Sequence, residues 1–537
     1  MSASSPMASW STTGRPRVMR PSTAAPAPGP PPGTITPAAT SSPGHRAPDT
    51  VRALFVNPCI EQDLEFFHLG TIAVASAVAA TGRHQAEYVD FSFCWDTWRD
   101  HLARRIAAMK PDLVGISTFS PRMPHARRVA EAVRALRPRA IIAMGGHHAT
   151  LDTHRLVRQP WVDLAVVGEA DLTIVQLLDA LESGEDLRTV PSLAWAEGDR
   201  VVETELAPLP SPARLDALPF HDWTLWQQHP RAIWHCGFLP MIGVRGCPYR
   251  CAFCSSPAVA DRLAGCGPFV RAGDPRRTAR HCAWQWERHH RHGLRHLMFY
   301  DQNFLLSQPW LEAFCDEYRA LGMHERLPFS AYSRVDHITA DKLDLVRSAG
   351  CYQLRLGIEA ADARIRNDLL GKKLDDALLR ERIAMVRDAG IGTLGYFLMG
   401  LPGERPAQAA ASYKLARELG LDRAVFLMFT PLAGMRMGGE AIGESIDFAS
   451  RDRATSFTDD GLTTEVSDIG RARLRALFYR ANGHFLARGF LRNARRRPWR
   501  FLSSLPGYLA AAYADGFTPV QAITQYIYHH DEAWRYA

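Results

Sequence analysis

The sequence predicts an α/β protein in which two separate sheets are followed by a helical region. Two series of apolar segments of strand length, each alternating with helical patterns, and a last region of helical pattern alone favour this fold class. In the first series the predicted strands cover residues 51–58, 85–91, 112–118, 140–146 and 162–169. This order predicts a doubly wound parallel sheet within residues 51–200, a fold that binds its ligands at the carboxyl ends of the strands.

Small and polar residues stand at these predicted strand ends. Glycine lets a bulky ligand approach the backbone, because it has no Cβ atom. The sequence therefore predicts a ligand of about nucleotide size, bordered by Ser117, Thr118, Gly145, Gly146, Gly168 and Glu169.

A second alternating series lies within residues 239–440. Its six predicted strands cover residues 239–246, 296–303, 329–336, 353–360, 392–400 and 424–431. With a helical segment in each gap, they predict a partial or full β/α barrel whose functional groups lie at the carboxyl ends of the strands. Four residues that follow these strands are therefore expected on one rim: Asp301, Arg334, Glu359 and Gly400.

Two further regions complete the predicted domain order. Residues 201–238 form a linker between the two sheets, and residues 441–537 are expected to form a helical domain that closes over the barrel mouth. Residues 1–50 are rich in Pro, Ser and Ala and lack hydrophobic periodicity. Such a segment buries too little apolar surface to offset its ordering entropy, so it is predicted to be disordered.

The composition is that of a globular protein without a membrane span. The 537 residues are 46% hydrophobic and 22% charged, with a net charge of +7. The longest small-apolar run, from Leu69 to Ala80, is too short to cross a bilayer. Because no apolar signal segment is present, the ten cysteines suggest a reducing, cytoplasmic compartment.

Basic residues gather between Arg471 and Arg500. A surface of this kind would suit nucleic acid or phosphate. Solvated helix faces produce the same pattern more often, so nucleic acid is not an expected partner.

Three cysteines directly follow the first strand of the second series. Cys247, Cys251 and Cys254 lie in the segment GCPYRCAFC with C-x3-C-x2-C spacing, whereas the other seven cysteines are scattered singly. Structural zinc normally has four ligands, and no further Cys or His stands at zinc-finger spacing. A [4Fe–4S] cluster held by three cysteines leaves one iron open to a small molecule. The spacing therefore favours such a cluster over zinc.

With Phe253 before the last cysteine and a β/α barrel around it, this motif resembles that of the radical S-adenosylmethionine superfamily. The resemblance implies that the open iron binds the amino and carboxylate groups of S-adenosylmethionine. It also implies an electron donor of the flavodoxin or ferredoxin type. Reduction of the cluster would then cleave the cofactor to methionine and a 5′-deoxyadenosyl radical.

Other positions match the same family less closely. By this resemblance, Asp301 in YDQNF would hold the methionine amino group or the ribose. Glu359 in RLGIEAA resembles the glutamate of a GIES-type motif, with Ala360 in place of a polar residue. Arg334 would pair with the methionine carboxylate, and a salt bridge on the barrel rim is the alternative.

The last two strands of the series carry two further resemblances. Leu398 and Gly400, within YFLMGLPGE, would pack on the adenine, although Tyr396 stands where the family usually has glycine. The segment TPLAG, residues 430–434, resembles the TPxPG ending of cobalamin-linked members.

Residues 51–200 resemble the Rossmann-like cobalamin-binding domain that often precedes such barrels, through the segments LVGIS, AMGGHHAT and VDLAVVGEADLT. The resemblance implies that Gly145–Gly146 border the dimethylbenzimidazole tail of cobalamin, and that Ser117–Thr118 lie beside it with Ser117 as a hydrogen-bonding partner. Gly168–Glu169 would lie close to the corrin.

The loop after the first strand reads NPCIEQDLEFFHLG and lacks the D-x-H-x-x-G motif with which other cobalamin enzymes supply a histidine to cobalt. Asp152-Thr153-His154 follows the fourth strand instead and lacks the glycine. His68 is the remaining candidate for a cobalt ligand, and a helix-start or packing role is the alternative. An absent imidazole is usual in the radical subgroup.

The resemblance as a whole implies a cytoplasmic, cobalamin-dependent radical S-adenosylmethionine methyltransferase. Its substrate would be an unactivated carbon, or phosphorus, of a natural-product or lipid intermediate. One S-adenosylmethionine would methylate the reduced cobalamin, and a second would yield the radical that activates the substrate. No acid or base is assigned, because hydrogen abstraction by a radical needs none.

Three other functions stay open. An anaerobic oxidative cyclase, related to the magnesium-protoporphyrin ester cyclase, has the same domain order. A cobalamin carrier or sensor would make the barrel vestigial, and RNA modification would use the basic C-terminal region.

Overall fold

The computed structural model describes residues 50–60, 67–92, 94, 97–437, 440–441, 446–448, 451, 463–496, 498–514, 522–524 and 526. The segment predicted to be disordered, residues 1–50, lies outside the described residues except for Thr50. Parts of the predicted C-terminal domain lie outside them as well. Among the described residues, no helix has the length and apolar character needed to cross a membrane.

The first sheet has seven strands in the order β2-β1-β3-β4-β5-β6-β7. The first five strands pair in parallel, as predicted, and the last two add an antiparallel hairpin that was not predicted. The strands are β1 (Arg52–Asn57), β2 (Gln85–Asp90), β3 (Leu113–Ser117), β4 (Ile141–Gly145), β5 (Leu164–Val166), β6 (Leu193–Glu197) and β7 (Arg200–Glu203).

Helices cover both faces of this sheet because alternate side chains of its strands point to opposite sides. In β1, Ala53 and Phe55 join the core beside the first and sixth helices, whereas Leu54 and Val56 join the core beside the second and third. The helices are α1 (Leu69–Ala80), α2 (Trp98–Met109), α3 (Met123–Leu136), α4 (His147–Leu151), α5 (Thr153–Leu156) and α6 (Thr173–Ser183).

The second sheet is an open, all-parallel sheet of six strands in the order β8-β11-β12-β13-β14-β15, and the fold is therefore a partial barrel. All six predicted strands take part in it. They are β8 (Phe238–Met241), β11 (His296–Phe299), β12 (Phe329–Ser333), β13 (Cys351–Glu359), β14 (Gly392–Met399) and β15 (Arg423–Met428). A short ribbon of β9 (Val244–Arg245) and β10 (Arg271–Ala272) follows β8, and β16 (Arg436–Met437) pairs with β17 (Glu440–Ala441).

The linker and the barrel supply most of the remaining helices. The linker contains α7 (Pro212–Ala217) and α8 (His229–Cys236). The barrel contains α9 (Ser256–Arg262), α10 (Pro275–His289), α11 (Gln308–Ala320), α12 (Met323–Arg326), α13 (Ala340–Ser348), α14 (Asp376–Asp388) and α15 (Pro406–Glu418). The C-terminal region contains α16 (Thr463–Val466), α17 (Arg471–Arg496) and α18 (Pro498–Ala514).

An aromatic cluster joins the first domain, the linker and the barrel into one core. The Phe67 ring lies edge-on to Trp223 and Trp226 of the linker, with centroids 5.2 and 5.9 Å away. It also meets Phe238, the first residue of β8, at 5.4 Å. Because Trp223 and Trp226 are fully buried, the linker is a packed part of the fold and not a flexible tether.

Helix α17 covers the open edge of the barrel sheet at β15. The side-chain amide of Asn482 accepts from the Phe426 N–H and donates to the Phe426 carbonyl, each at 3.0 Å, and so replaces a neighbouring strand. Arg488 donates to the Leu421 carbonyl at 3.1 Å. The described part of the predicted cap therefore lies largely along an edge of the barrel, with α16 and the start of α17 reaching the rim at Gly400.

The carboxyl ends of the two sheets meet through buried ion pairs. Arg245 in β9 donates to Glu169 Oε2 and Asp171 Oδ2, both at 2.8 Å, and these carboxylates follow β5. Arg271, the β10 neighbour of Arg245, pairs with the same Glu169. Backbone contacts strengthen the junction, since the Ala433 N–H beyond β15 donates to Ser120 Oγ beyond β3 at 3.1 Å.

The Asp171 carboxylate shows the strength of this pairing. Burial alone would raise the pKa of Asp171, but the charge and hydrogen bonds of Arg245 outweigh burial and leave the pKa below its ordinary value. The resulting stabilisation is present above the unfolded-state pKa of about 3.9. It is lost as the pH falls through the lower folded-state pKa.

We expect Arg245→Met to destabilise the protein strongly, because it leaves the buried Asp171 carboxylate without its arginine and leaves Glu169 with Arg271 alone. The free energy of unfolding should fall by about 3 kcal/mol, read from urea unfolding followed by tryptophan fluorescence. Arg380→Met is the matched control, since the Arg380–Glu418 pair is exposed and should contribute less than about 1 kcal/mol. Equal losses in the two variants would contradict a special role for the domain junction.

Candidate functional site

The cysteine loop begins where β9 ends and runs to α9. Gly246 has φ +86°, and a Cβ atom there would lie 2.2 Å from the Phe269 carbonyl oxygen, so the residue before Cys247 has to be glycine. Farther along the loop, the Ala252 N–H donates to the Leu370 carbonyl at 3.0 Å. The loop is therefore held at both ends by other parts of the barrel.

Two of the three thiols already receive hydrogen bonds. Arg334 Nη1 donates to Cys251 Sγ, and the Ser256 backbone N–H donates to Cys254 Sγ, each at 3.4 Å. Burial raises the pKa of the Cys254 thiol to about 11 and also raises that of Cys247. Without a metal the thiols of Cys247 and Cys254 are thus protonated at neutral pH, and a bound metal would displace these protons.

The cysteine side chains fit an iron–sulfur cluster better than a single metal ion. One zinc ion would bring three sulfur atoms to about 3.8 Å from one another. Within the described residues, however, these cysteines do not form a group whose ligand atoms all lie within 4.8 Å of one another. A cubane binds each sulfur at a different iron and so suits wider spacing.

Arg334 holds the cysteine loop and its surroundings instead of standing open on the rim. Its Nε and Nη2 atoms donate to Asp336 at 2.9 and 3.0 Å, and Nη2 also donates to the Lys372 carbonyl at 2.9 Å. The guanidinium lies 3.7 Å above the centre of the Tyr249 ring. The structure therefore shows the rim salt bridge, and pairing with a methionine carboxylate stays a prediction.

Asp301 binds the backbone of the turn that precedes the cysteine loop, and its contact with the methionine amino group or the ribose stays a prediction. Its carboxylate is fully buried and accepts from the N–H groups of Val244 at 2.6 Å and Gly243 at 3.1 Å. Burial raises the pKa of Asp301 to about 7, although these two hydrogen bonds act in the opposite direction. In the structure Asp301 fixes the turn between β8 and β9, and direct contact with a ligand would require this turn to open.

Glu359 forms a buried ion pair beside the cysteine loop. Its Oε1 accepts from Lys372 Nζ at 2.8 Å, and both side chains are less than one-tenth exposed. Gly357 makes room for them, because a Cβ atom there would lie 2.3 Å from Glu359 Oε1. Glu359 itself has φ +71°, an uncommon backbone conformation that often marks functional sites.

The sequence did not point to Lys372, although a signal was present. The chain contains only five lysines among 63 basic residues, and Lys372 is adjacent to another in Gly371-Lys372-Lys373. Its Nζ also lies 5.8 Å from the centre of the Phe253 ring, within the cysteine motif. Lys372 thus links the β13 end to the cysteine loop.

Phe253 and Leu398 come together in an apolar cluster at the rim, as expected if they enclose a flat ring. The cluster also contains Ala360, Ile365, Leu370, Leu401, Phe429, Leu432, Met435 and Met437. Gly400 ends the same strand with φ +80°, and a Cβ atom there would lie 2.4 Å from Thr463 of α16. The roles of Leu398 and Gly400 at the adenine, and of Phe253 in cofactor binding, stay predictions.

Polar and aromatic side chains line the sheet face that is turned away from the helices. Phe329 and Ala331 of β12 pack in the main core, so the alternate residues Ser330 and Tyr332 point to the opposite face. On that face the Tyr332 hydroxyl lies 3.2 Å from the Tyr396 hydroxyl, and Arg355 Nε donates to Ser330 Oγ at 3.1 Å. Sequence reasoning missed Tyr332 and Arg355, because no motif marks them.

His68 begins helix α1 and does not offer a lone pair to cobalt. Its Nδ1 accepts from the Thr71 N–H at 3.2 Å, so the neutral ring carries its proton on Nε2. That nitrogen faces Ser117 Oγ at 3.2 Å. The helix-start role is therefore the one that the structure shows, and Ser117 is already hydrogen-bonded.

At the other strand ends of the first sheet, Thr118 and Gly146 shape the turn into α4, whereas Gly145 borders open space. The Thr118 hydroxyl donates to the Gly145 carbonyl at 2.7 Å and accepts from the Ala149 N–H, so it shapes the turn into α4. Gly146 has φ +101° and would clash with the Thr118 carbonyl if it carried a side chain. At Gly145, by contrast, an added Cβ atom would meet nothing within 4 Å.

The loop after β5 packs against the barrel. A Cβ atom on Gly168, which has φ +82°, would lie 3.0 Å from Leu263 just beyond α9. The Glu169 carboxylate is paired with Arg245 and Arg271. These two residues therefore serve the domain junction in the structure, and their contact with a corrin stays a prediction.

Two protein-family descriptions match the chain, "B12 binding domain" over residues 61–178 and "Radical SAM superfamily" over residues 241–416. These matches confirm the prediction of a cobalamin-binding domain in front of a radical S-adenosylmethionine domain. They also confirm the predicted cofactors, namely cobalamin, a [4Fe–4S] cluster and S-adenosylmethionine, at the level of the domains that bind them.

Individual relatives are similar over most of this chain. A protein of Pyrococcus horikoshii named as an uncharacterized methyltransferase is 26% identical over 379 residues, or 70% of this chain and 79% of that protein. The anaerobic magnesium-protoporphyrin IX monomethyl ester cyclase of Cereibacter sphaeroides is 27% identical over 366 residues, or 65% of this chain and 56% of the cyclase.

A solved structure shares the fold. The radical S-adenosylmethionine methyltransferase TsrM from Kitasatospora setae aligns with a TM-score of 0.61 and 18% identity, over 73% of this chain and 76% of its own. This likeness confirms the predicted fold class of a doubly wound domain followed by a β/α barrel.

We expect Arg334→Gln to lower the reduction potential of a reconstituted cluster. The variant loses a positive charge and the hydrogen bond that Arg334 donates to Cys251 Sγ. A loss of about 1 kcal/mol from the reduced state corresponds to a shift of roughly 40 mV for one electron. Potentiometric titration followed by electron paramagnetic resonance measures the shift. The control is Arg364→Gln, because Arg364 is an exposed arginine after β13. The cluster of this variant should keep the wild-type potential. Equal potentials in both variants would refute the effect.

Proposed function

We propose that this chain, which belongs to the radical S-adenosylmethionine enzymes with a B12 binding domain, is a methyltransferase. Its acceptor would be an unactivated carbon, or phosphorus, of a natural-product or lipid intermediate. The observation that carries the proposal is the junction of Arg245 with Glu169 and Asp171. It brings the ligand edge of the first sheet to the start of the cysteine loop, as transfer of a group between two cofactors requires.

Cys247, Cys251 and Cys254 would hold the cluster. When bound, the cluster supplies an electron, S-adenosylmethionine supplies the radical and the methyl group, and cobalamin carries the methyl group to the acceptor. Arg334 orients the loop through its bond to Cys251 Sγ. An external donor of the flavodoxin or ferredoxin type in the cytoplasm is proposed as the source of electrons.

The remaining rim residues would bind and enclose the cofactors. Phe253 and Leu398 belong to one apolar cluster, which would pack on the adenine and exclude water from reactive intermediates. The Glu359–Lys372 pair sits beside them and would offer polar contacts to the sugar or the amino acid part. At the first sheet, the open space at Gly145 would admit the tail of cobalamin.

The face with Tyr332, Tyr396 and Arg355 is the proposed substrate surface. Its hydroxyl groups and guanidinium would bind a substrate that carries oxygen acceptors or an anionic group. No side chain is assigned a proton-transfer role, because hydrogen abstraction by a radical does not need one. The protein's contribution is to position the reactants and to keep water out.

An oxidative cyclase reaction without net methyl transfer is the second candidate. The specific observation in its favour is the 27% identity over 366 residues with the cyclase of Cereibacter sphaeroides. The domain order is the same in both proposals, so the products of the reaction have to distinguish them.

We expect anaerobically reconstituted protein to form both S-adenosylhomocysteine and 5′-deoxyadenosine in the presence of cobalamin, reductant and an acceptor from the host's small-molecule extract. Methyl-labelled S-adenosylmethionine should label the acceptor, as read by mass spectrometry. Oxygen incorporation from labelled water with no methyl gain would favour the cyclase and reject methyl transfer. Cys251→Ala should abolish 5′-deoxyadenosine, and Cys236→Ala, a cysteine in α8, should retain it.

The Gly145→Val variant tests whether cobalamin binds at the carboxyl edge of the first sheet. A side chain in the open space at this strand end should weaken hydroxocobalamin binding about tenfold or more, which corresponds to at least about 1.4 kcal/mol. The melting temperature should stay unchanged, because the added Cβ atom meets no protein atom within 4 Å. Gly470→Val is the matched control, since its Cβ atom also meets nothing and it lies outside this edge. Unchanged cobalamin affinity in Gly145→Val would place the cofactor elsewhere.

A further inference from the structure

Three histidines converge between the linker and the first long helix of the barrel. His229 is the first residue of α8, His289 is the last residue of α10, and His292 lies in the turn that follows. One ring nitrogen from each lies within 4.8 Å of the others. His289 and His292 precede β11, so the group lies at the amino end of a barrel strand, whereas the cysteine loop follows the carboxyl ends.

The three rings are tilted relative to one another and are not stacked in parallel. His229 is nearly perpendicular to His289 at 5.3 Å and to His292 at 5.4 Å between centroids. His289 and His292 are 6.0 Å apart at an angle of 44°. Nitrogen lone pairs lie in the ring planes, so tilted rings can direct them toward one position.

His289 is the strongest indication that something binds here. The side chain is fully buried, and neither of its ring nitrogens has a hydrogen-bond partner within the described residues. A buried polar atom without a partner costs about 1–3 kcal/mol, and such groups are rare in folded proteins. A metal ion bound to one of these nitrogens would remove that cost.

His229 already has the tautomer that a metal ligand needs. Its Nδ1 lies 2.7 Å from the Trp226 carbonyl oxygen, which can only accept, so Nδ1 carries the proton. Nε2 is therefore the ring nitrogen of His229 that keeps a lone pair for a metal ion. Histidine ligands commonly donate their other N–H to a backbone carbonyl in this way.

Two charged side chains of opposite sign lie near the group. The charged residues that act on the rings of both His229 and His289 are Arg288 and Asp222, which lie 3.6 Å apart as an ion pair. Because their charges are opposite, the pair adds no net charge beside the three imidazoles.

We propose that His229, His289 and His292 form a binding site for a divalent transition metal ion of the zinc class, separate from the iron–sulfur cluster. Three imidazole nitrogens suit zinc, nickel, cobalt or copper and not magnesium or calcium. Water would complete a tetrahedral zinc ion. The ion would fasten linker helix α8 to barrel helix α10, and the proposal does not depend on the proposed methyl transfer.

The test uses the full-length chain with its cluster reconstituted, dialysed against zinc chloride and analysed by inductively coupled plasma mass spectrometry. We expect about one bound zinc per chain, and loss of that zinc in His289→Gln and in His292→Gln. The matched control is His290→Gln, which lies between the two variants in the chain but is not one of the three converging histidines, and which should keep the zinc. Retention of zinc by the first two variants, or no zinc in the wild-type chain, would overturn the site.

Two measurements keep the result clear if His289→Gln does not fold. His292 is only half-buried, so its variant should fold and report on the site alone. X-ray absorption at the zinc edge of the wild-type protein should show nitrogen neighbours from imidazole. Sulfur neighbours would place the zinc at the cysteine loop and refute the proposal, as would loss of the zinc when all three loop cysteines are replaced by alanine.

Discussion

The buried ion pairs between the two domains are the constraint on which the rest of the site depends. Arg245 stands two residues before Cys247, and Glu169 and Asp171 from the loop after β5 hold its guanidinium. Each of these charges is partly or fully removed from water, so each needs its partners to remain where they are. The cysteine loop thus cannot separate from the first sheet without leaving charge unpaired. The ligand edges of the two sheets are neighbours for this electrostatic reason as well as through the aromatic core around Phe67.

Around the cysteine loop, charged residues act mostly on one another and on the backbone. Asp301 binds the turn before the loop, Arg334 binds Cys251 and Asp336, and Glu359 binds Lys372. This arrangement forms the loop before any cofactor arrives, so less conformational entropy is lost when a cluster binds. It also places a positive guanidinium against a cluster ligand, and hydrogen bonds to sulfur are one means by which proteins adjust cluster potentials. The strained backbone at Glu359 is maintained by a buried ion pair and by the absence of a side chain at Gly357.

The barrel uses the two faces and the two ends of its sheet for different purposes. The outer face is apolar and packs on helices, and the inner face carries Tyr332, Tyr396 and Arg355. Helix α17 covers the exposed edge at β15, where Asn482 takes the place of a missing strand. The histidine group lies at the amino end of β11, whereas the cysteine loop lies at the carboxyl ends of the barrel strands. With a metal bound, it would hold the linker at one end of the barrel while the ion pairs hold the first domain at the other.

The sequence by itself determined the parallel strands of both sheets and the cysteine motif, because these are local patterns. A buried parallel strand is a short apolar run, and C-x3-C-x2-C needs only eight residues to be recognised. The hairpin of β6 and β7 was missed. Its edge strand β7 has four residues and begins and ends with a charged side chain, so it offers no apolar run of strand length. Only the tertiary structure decided what the charged residues at the strand ends do. Asp301 meets an amide 57 residues away, and Glu169 meets an arginine 76 residues away. A carboxylate at a strand end can face a ligand or a neighbouring loop, and which one it faces depends on contacts between segments that no local pattern encodes. The histidine group was missed for the same reason. His229 lies in α8, whereas His289 and His292 lie at the end of α10 and in the turn after it, and the whole cysteine loop stands between them in the chain.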